Sequence, residues 1–138
     1  TLDVYLDEDP DYISIQLGDN SSQDVEFFTK TSLAMLLDYC HTKCPDALIV
    51  VMGAWYTTQS MISGMAETVA SYGDIFVNFQ GVRSSATQSH IGATVTYPDR
   101  TTHEITNAGV ASHPNDDGFE GIANLVIEAI SPFVQTVS

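Results

Sequence analysis

The chain has 138 residues, the size of one compact domain, and 43% of them are hydrophobic, as expected of a globular protein. Its 18 acidic and 4 basic side chains give a formal net charge of -14, which repels phosphate backbones and anionic membrane surfaces. No apolar run approaches the ~20 residues that span a bilayer. The sequence therefore predicts one soluble domain, residues 1–138, without nucleic acid or membrane partners. It leaves localisation open, with a secreted or extracytoplasmic location slightly favoured.

The first half of the chain alternates strands and helices. Tyr12 to Leu17 alternates apolar and small polar residues and predicts a strand that ends before Gly18. Residues at helical spacing then predict a helix capped among Ser21, Ser22 and Asp24; they are Val25, Phe28, Ser32, Leu36 and Tyr39. The apolar run from Ala47 to Met52 is typical of a strand covered on both faces in a parallel sheet, so we expect it to be central.

The second half predicts one more strand between two helices. Met61 to Val69 has helical spacing, and Asp74 to Phe79 reads as the third strand. The pattern fades from Gln80 to Thr106, which predicts a loop with one short strand or hairpin. A clean apolar stripe over Glu120 to Phe133 predicts the last helix. This order of elements predicts an α/β fold, with helices on both faces of a parallel sheet in three α/β/α layers.

The two cysteines, Cys40 and Cys44, lie where the first long helix is expected to end. A disulfide across this helix terminus is feasible, and two ordinary thiols are the alternative. The motif Cys-His-x-x-Cys has too few ligands for zinc, which takes about four. The sequence therefore predicts no metal site, and it does not decide between a disulfide and two thiols.

Four polar or aromatic stretches fall at predicted strand ends or just before the last helix. They are "LGDN" (17–20), "GAWY" (53–56), the loop after Phe79 and "SHPND" (112–116). Ligands of open parallel sheets bind beyond the carboxyl ends of the strands, so we expect a site where these stretches meet. Each also has a purely structural interpretation, as a turn or cap, as core or rim aromatics, or as a helix entrance.

Two of these stretches together resemble the SGNH hydrolases, also called the GDSL esterases and lipases. In that family one strand ends in Gly-x-Asn, as "IQLGDN" does, and a catalytic His beside a Pro precedes the final helix, as in "GVASHPNDDGFEGIANLV". The resemblance extends from about Asp9 to Ile130 and implies the flavodoxin-like SGNH-hydrolase fold, incomplete in this chain. It implies that Asn20 helps to form an oxyanion hole and that His113 is the general base.

The implied reaction is hydrolysis of a small acyl ester, with an O-acetylated carbohydrate as one substrate class. A histidine suits a base near neutral pH, and an oxyanion-hole amide is worth about 10²–10³ in rate. "IVVMGAWY" resembles the strand that often ends near the family's pocket, which implies that Trp55 and Tyr56 contact substrate and that their faces could stack on a sugar. Gly18 of "IQLGDN" is expected to contact substrate as well. Neither a metal nor an organic cofactor is implied.

The chain departs from the family's sequence pattern at two points. The family's Gly-Asp-Ser nucleophile block and its following Gly block are absent, so we expect the serine to come from a segment outside this chain or from a second copy. "GDNS" places Ser21 after a similar motif, but the helix and strand that follow belong to the later block. The family's Asp three residues before the His is Val110 here, which predicts a Ser-His dyad in place of a triad.

Two further interpretations belong to other functional classes. A catalytically silent SGNH-like module that binds a carbohydrate or a protein would explain the missing nucleophile and Val110, but it would not explain why Asn20 and His113 are both present. A flavodoxin-like ligand or signalling domain would explain the alternating elements. It leaves "HPND" without a role, and the sequence has no Gly-rich phosphate loop.

Overall fold

The computed structural model describes residues 2–19 and 24–134. Three strands form one parallel sheet, and helices connect and cover them. The elements of this α/β part are α1 (Asp3–Leu6), β1 (Tyr12–Gln16), α2 (Val25–Phe27), a π-helical segment (Phe28–Ser32), α3 (Leu33–Lys43), β2 (Leu48–Met52), α4 (Gln59–Tyr72) and β3 (Ile75–Val77). After β3 come a hairpin of β4 (Thr94–Thr96) and β5 (Thr102–Glu104), then α5 (Ala108–Ala111) and α6 (Asp116–Ile130).

The parallel sheet has the order β1-β2-β3, so β2 is central, as its apolar run predicts. Ser14 of β1 pairs with Val50 of β2, and Val50 pairs with Ile75 of β3. The third strand is shorter than the predicted Asp74 to Phe79. Because both strand pairs are parallel, the carboxyl ends of all three strands lie at one edge of the sheet, where a site was expected.

Alternating side chains of β2 face two different helical layers. Ile49 and Val51 lie in a core shared with α3 and α4. Val50, with Leu48 and Met52 beside it, contacts the apolar side of α6. Helices thus cover both faces of the sheet at β2 and β3, which gives the predicted α/β/α layering in this part of the described chain.

The first long helix is interrupted by the π-helical segment. Asp24, one of the predicted caps, accepts a hydrogen bond from the backbone N–H of Phe27 at 3.0 Å. Inside the segment, the carbonyl of Thr29 accepts a hydrogen bond from the hydroxyl of Thr68 on α4 at 2.8 Å. Gly64 permits this close approach, because a Cβ there would lie 2.7 Å from the Thr29 hydroxyl oxygen.

Both cysteines are free thiols, and both are buried between α1, α3 and the sheet. The Sγ of Cys44 donates to the carbonyl of Leu6 across 3.3 Å. Burial raises the pKa of each thiol above its ordinary value of 9.0. The structure therefore has the two-thiol alternative, in a protonated and poorly reactive form.

Helix α6 begins at Asp116, earlier than the predicted Glu120, because Asn115 caps it and accepts a hydrogen bond from the Gly118 N–H at 2.9 Å. It ends at Ile130, before the predicted Phe133, and Pro132 cannot continue the helical hydrogen bonds. The loop from Gln80 to Thr106 contains the expected hairpin. No helix in residues 2–19 or 24–134 is long and apolar enough to cross a membrane.

Candidate active site

The loops that follow β1 and β2 are joined to each other. Gly18 follows β1 with a φ of +115°, which favours glycine, and a Cβ there would lie 3.3 Å from the Phe28 ring and 3.7 Å from Ala54. The carboxylate of Asp19 accepts a hydrogen bond from the backbone N–H of Tyr56 at 2.7 Å. Asp19 therefore fastens one strand-end loop to the next.

Trp55 connects the end of β2 to the segment that carries His113. Its indole N–H donates to the carbonyl of Ser112 over 3.1 Å, and the residue is only 4% exposed. This burial leaves no open indole face on which a sugar could stack. In this structure Trp55 supports the main chain beside His113.

His113 is exposed, and its imidazole meets the ring of Tyr56 edge-on. The two ring centroids are 6.1 Å apart, and the rings are inclined by 77°. The His113 N–H donates to the carbonyl of Val110 at 3.1 Å, and its carbonyl accepts from the Ser89 N–H at 2.9 Å. The main chain of His113 is thus fixed on both sides, while its side chain is open to solvent.

The described residues offer the imidazole no hydrogen-bonding partner. Neither an ion pair nor a hydrogen bond from residues 2–19 or 24–134 reaches its nitrogens. Val110, at the place of the family's Asp, is 53% exposed, and the Ser112 hydroxyl donates to the carbonyl of Gly109. In this part of the chain His113 therefore has neither an orienting acid nor a serine.

The loop after β3 holds the entrance of α6 in place. The backbone N–H of Asn115 donates to the carbonyl of Thr87 at 3.0 Å, and its side-chain amide donates to the carbonyl of Ala86 at 2.8 Å. Gly118 lies against the same loop, because a Cβ there would be 2.3 Å from the Thr87 carbonyl oxygen. The loops after β2 and β3 thus both contact the segment that carries His113, and residues 17–19 reach it only through the loop after β2.

An open cavity of about 500 Å³ lies in the loop after β3. Its lining residues all carry hydrogen-bonding groups: Gln80, Arg83, Ser84, Ser85 and Gln88. The guanidinium carbon of Arg83 lies 4.5 Å from the centroid of the Tyr56 ring, in cation–π contact. The ring of Tyr56 therefore has Arg83 on one side and contacts His113 as well.

Sequence reasoning missed Arg83 and its neighbours. One signal was present, since Arg83 is one of only 4 basic residues and follows a predicted strand end. Asn20 and Ser21 lie outside the described residues, so the oxyanion role of Asn20 stays a prediction. In the described ranges no group of three or more His, Cys, Asp or Glu residues is placed to hold a metal ion.

The fold resembles that of solved structures at low sequence identity. One is a protein described as a GDSL-like lipase from Bacteroides uniformis, with a TM-score of 0.63 and 17% identity over 90% of this chain and 54% of that one. A second has a TM-score of 0.57 and 12% identity over 91% of this chain and 66% of that one. This chain thus spans little more than half of the first structure and just under two thirds of the second.

Comparison of the sequence alone gives no further relative, since no protein-family profile matches it and no curated protein matches it. The structural likeness shows a mixed α/β fold of the GDSL-like type. At these identities it shows the fold alone.

Proposed function

We propose that this chain is the C-terminal part, from the Gly-x-Asn block onward, of an SGNH-type serine esterase that hydrolyses a small acyl ester, with O-acetylated carbohydrates as the substrate class. The observation that carries this proposal is the position of His113. Its exposed imidazole meets the ring of Tyr56 after β2, its main chain is bonded to the loop after β3, and a polar cavity lies in that loop. The GDSL-like fold supports the same assignment.

In this mechanism His113 removes the proton from a serine hydroxyl as the oxygen attacks the ester carbonyl. Asn20 and nearby backbone N–H groups stabilise the oxyanion of the tetrahedral intermediate. The protonated His113 then gives its proton to the departing alcohol, and a water molecule releases the acyl group by the same steps. Because no carboxylate of the described residues orients His113, we expect a dyad with weaker activation than a triad.

The serine is proposed to come from a segment outside this sequence, and the free edge of β1 supports this. Within residues 2–19 and 24–134, β1 pairs with β2 alone. The register places Tyr12, Ser14 and Gln16 on the same face of the sheet that α6 covers at the neighbouring strand β2. All three are nevertheless exposed. One edge and one face of β1 are therefore open to an added parallel strand and its helix.

The apolar side of α6 also extends beyond the surface that the sheet covers. Phe119 and Ile127 are 60% and 58% exposed, although they neighbour the half-buried Ile122 and Val126 on the same helix. This apolar surface lies next to the open face of β1, where a covering helix could bury it. A helix of the added segment would cover it and complete the layer.

The first test is a denaturing intact-mass spectrum of the protein purified from its native source. A polypeptide that carries a Gly-Asp-Ser segment is expected, either joined to this chain or accompanying it. In the complete protein, with the Gly-Asp-Ser segment present, H113A should lower kcat for acetyl-ester hydrolysis by at least about 10²-fold, which is the usual contribution of a general base. H103A, which removes a histidine of the hairpin, is the matched control and should keep full activity.

The alternative is a catalytically silent SGNH-like binding module. The unpartnered imidazole of His113 in the described part of the chain favours it. A single 15.0 kDa species that binds an acetylated sugar without hydrolysing it would establish this alternative. Full hydrolytic activity of H113A would contradict the esterase mechanism.

A further inference from the structure

Arg83 differs from the paired lysines of this acidic chain. Lys30 binds the carboxylate of Glu67 at 2.5 Å, and Lys43 lies 3.3 Å from two aspartate carboxylates. In the described ranges no carboxylate pairs with Arg83, although the chain has 18 acidic residues. Arg83 lies instead over the face of Tyr56, and its exposed guanidinium is free to meet an anion from solution.

The cavity beside Arg83 is open to solvent, and its lining is polar. Its lining combines one guanidinium with two amides and two hydroxyls, and it contains no carboxylate. Its volume of about 500 Å³ falls within the range of small-ligand sites, about 300–1,000 Å³. A sugar ring with one negative group therefore matches both the size and the donors of this cavity.

The wall of the cavity is fixed by its own hydrogen bonds. The hydroxyl of Thr87 donates to the carbonyl of Val82 at 2.6 Å, and the Ser84 N–H donates to the same hydroxyl at 2.9 Å. Gln88, which lines the cavity, forms a β-bridge with Pro114, the residue after His113. A ligand in the cavity would thus lie beside the segment that carries the imidazole.

From these observations we propose that Arg83 binds a carboxylate of the substrate, so that the preferred ligand is a uronic acid-type saccharide. A guanidinium can stack on an aromatic ring and still pair with a carboxylate through its N–H donors. The net charge of -14 disfavours anions at long range, so such a ligand needs a local cation. That the bound saccharide also carries the scissile ester rests on the proposed function; the carboxylate site itself does not.

A purely structural role for Arg83 makes a different prediction. If its contact with Tyr56 served only to fasten the cavity loop to the loop after β2, acidic and neutral sugars would bind equally well. Replacement of Arg83 would then change stability without changing ligand preference. The two roles are therefore separable by ligand binding alone.

The test is a titration of the chain with methyl β-glucuronide and with methyl β-glucoside, followed by NMR chemical shifts. The glucuronide should bind about tenfold more tightly or better, as one charge-assisted pair provides. R83Q should abolish this preference. R100Q makes the same charge change on the β4–β5 turn and should keep it.

Equal binding of the two sugars, no binding of the glucuronide, or an equal loss in R83Q and R100Q would each overturn the proposal. Unfolding midpoints of both variants control for folding. Hydrolysis is not measured, so this result is independent of the esterase test. Glucuronide binding together with a fully active H113A would contradict only the proposed mechanism. Hydrolysis that depends on His113, without glucuronide binding, would contradict only the carboxylate site.

Discussion

The indole N–H of Trp55 donates a hydrogen bond across 3.1 Å to the carbonyl of Ser112, the residue that precedes His113. A residue of the loop after the central strand thereby supports the main chain next to the candidate base. Because Trp55 is buried, its side chain has little freedom to adjust if the partner moves. The position of His113 should therefore depend on this bond together with the bonds of its own main chain to Val110 and Ser89.

Trp55→Phe tests that dependence. The substitution removes the donor, leaves the Ser112 carbonyl without its partner and creates a small void. We expect the free energy of unfolding to fall by about 1–3 kcal/mol. Urea unfolding measures this loss, and the NMR signals of His113 should shift with it. A variant with wild-type stability and unchanged His113 signals would contradict the supporting role.

Tyr56→Phe is the contrasting change in the neighbouring residue. The Tyr56 hydroxyl is buried, and no hydrogen-bond partner for it occurs in the described part of the chain. A buried polar group without a partner costs about 1–3 kcal/mol, and the substitution removes that cost. The phenylalanine ring keeps the contacts with Arg83 and His113. We expect stability equal to or above that of the wild type in the same urea experiment. A marked loss would show that the hydroxyl has a partner outside the described residues.

Gly118→Ala probes the close contact between α6 and the cavity loop. An alanine in a helix normally gains about 1 kcal/mol over glycine. Here its Cβ would lie 2.3 Å from the Thr87 carbonyl oxygen and 2.9 Å from the Pro114 Cβ, so the backbone must shift. Such overpacking costs about 1–3 kcal/mol and should outweigh the helical gain. We therefore expect a lower thermal midpoint.

Gly81→Ala is the matched control, because no atom lies within 4 Å of a Cβ at that position and its φ is not in the left-handed region. Its thermal midpoint should equal or slightly exceed that of the wild type. If both alanine variants lost the same stability, the loss would come from loop entropy or from the assay and not from the contact with Thr87.

The sequence predicted the regular elements because their signals are local. The apolar run before Gly53 marked the central strand, and the apolar stripe of α6 marked the last helix. The start of α6 was misplaced, because a cap by Asn115 depends on one side-chain hydrogen bond that periodicity does not record. Arg83 was missed because its contact with Tyr56 joins two loops, and loop positions are set by long-range bonds such as that between Asn115 and Thr87.

A pH-dependent prediction concerns the polar cluster that joins α1 to the end of α3. The hydroxyl of Tyr39 donates to the carboxylate of Asp3, and Lys43 pairs with the same carboxylate. The hydrogen bond from Tyr39, followed by the interaction with Lys43, lowers the pKa of Asp3 below 3.8. The hydrogen bond to Asp3 raises the pKa of Tyr39 above 10.0.

The two pKa shifts set an acid limit and an alkaline limit to the stabilisation by this cluster. A lowered carboxyl pKa stabilises the fold above pH 3.8, and that contribution is lost as the pH falls through the lowered value. A raised phenol pKa stabilises the fold below pH 10.0, and that contribution is lost as the pH rises through the raised value. The cluster should therefore contribute fully only between these two limits.

Tyr39→Phe should lower the free energy of unfolding within that window and have progressively less effect outside it. Urea unfolding at a series of pH values measures the difference between variant and wild type. Tyr97→Phe, on the exposed hairpin, is the control and should show a flat difference. Because these groups lie at the surface, the effect should also shrink as salt is added. A Tyr39→Phe difference that stays constant from acid to alkaline pH would mean that the hydroxyl acts through packing and not through its bond to Asp3.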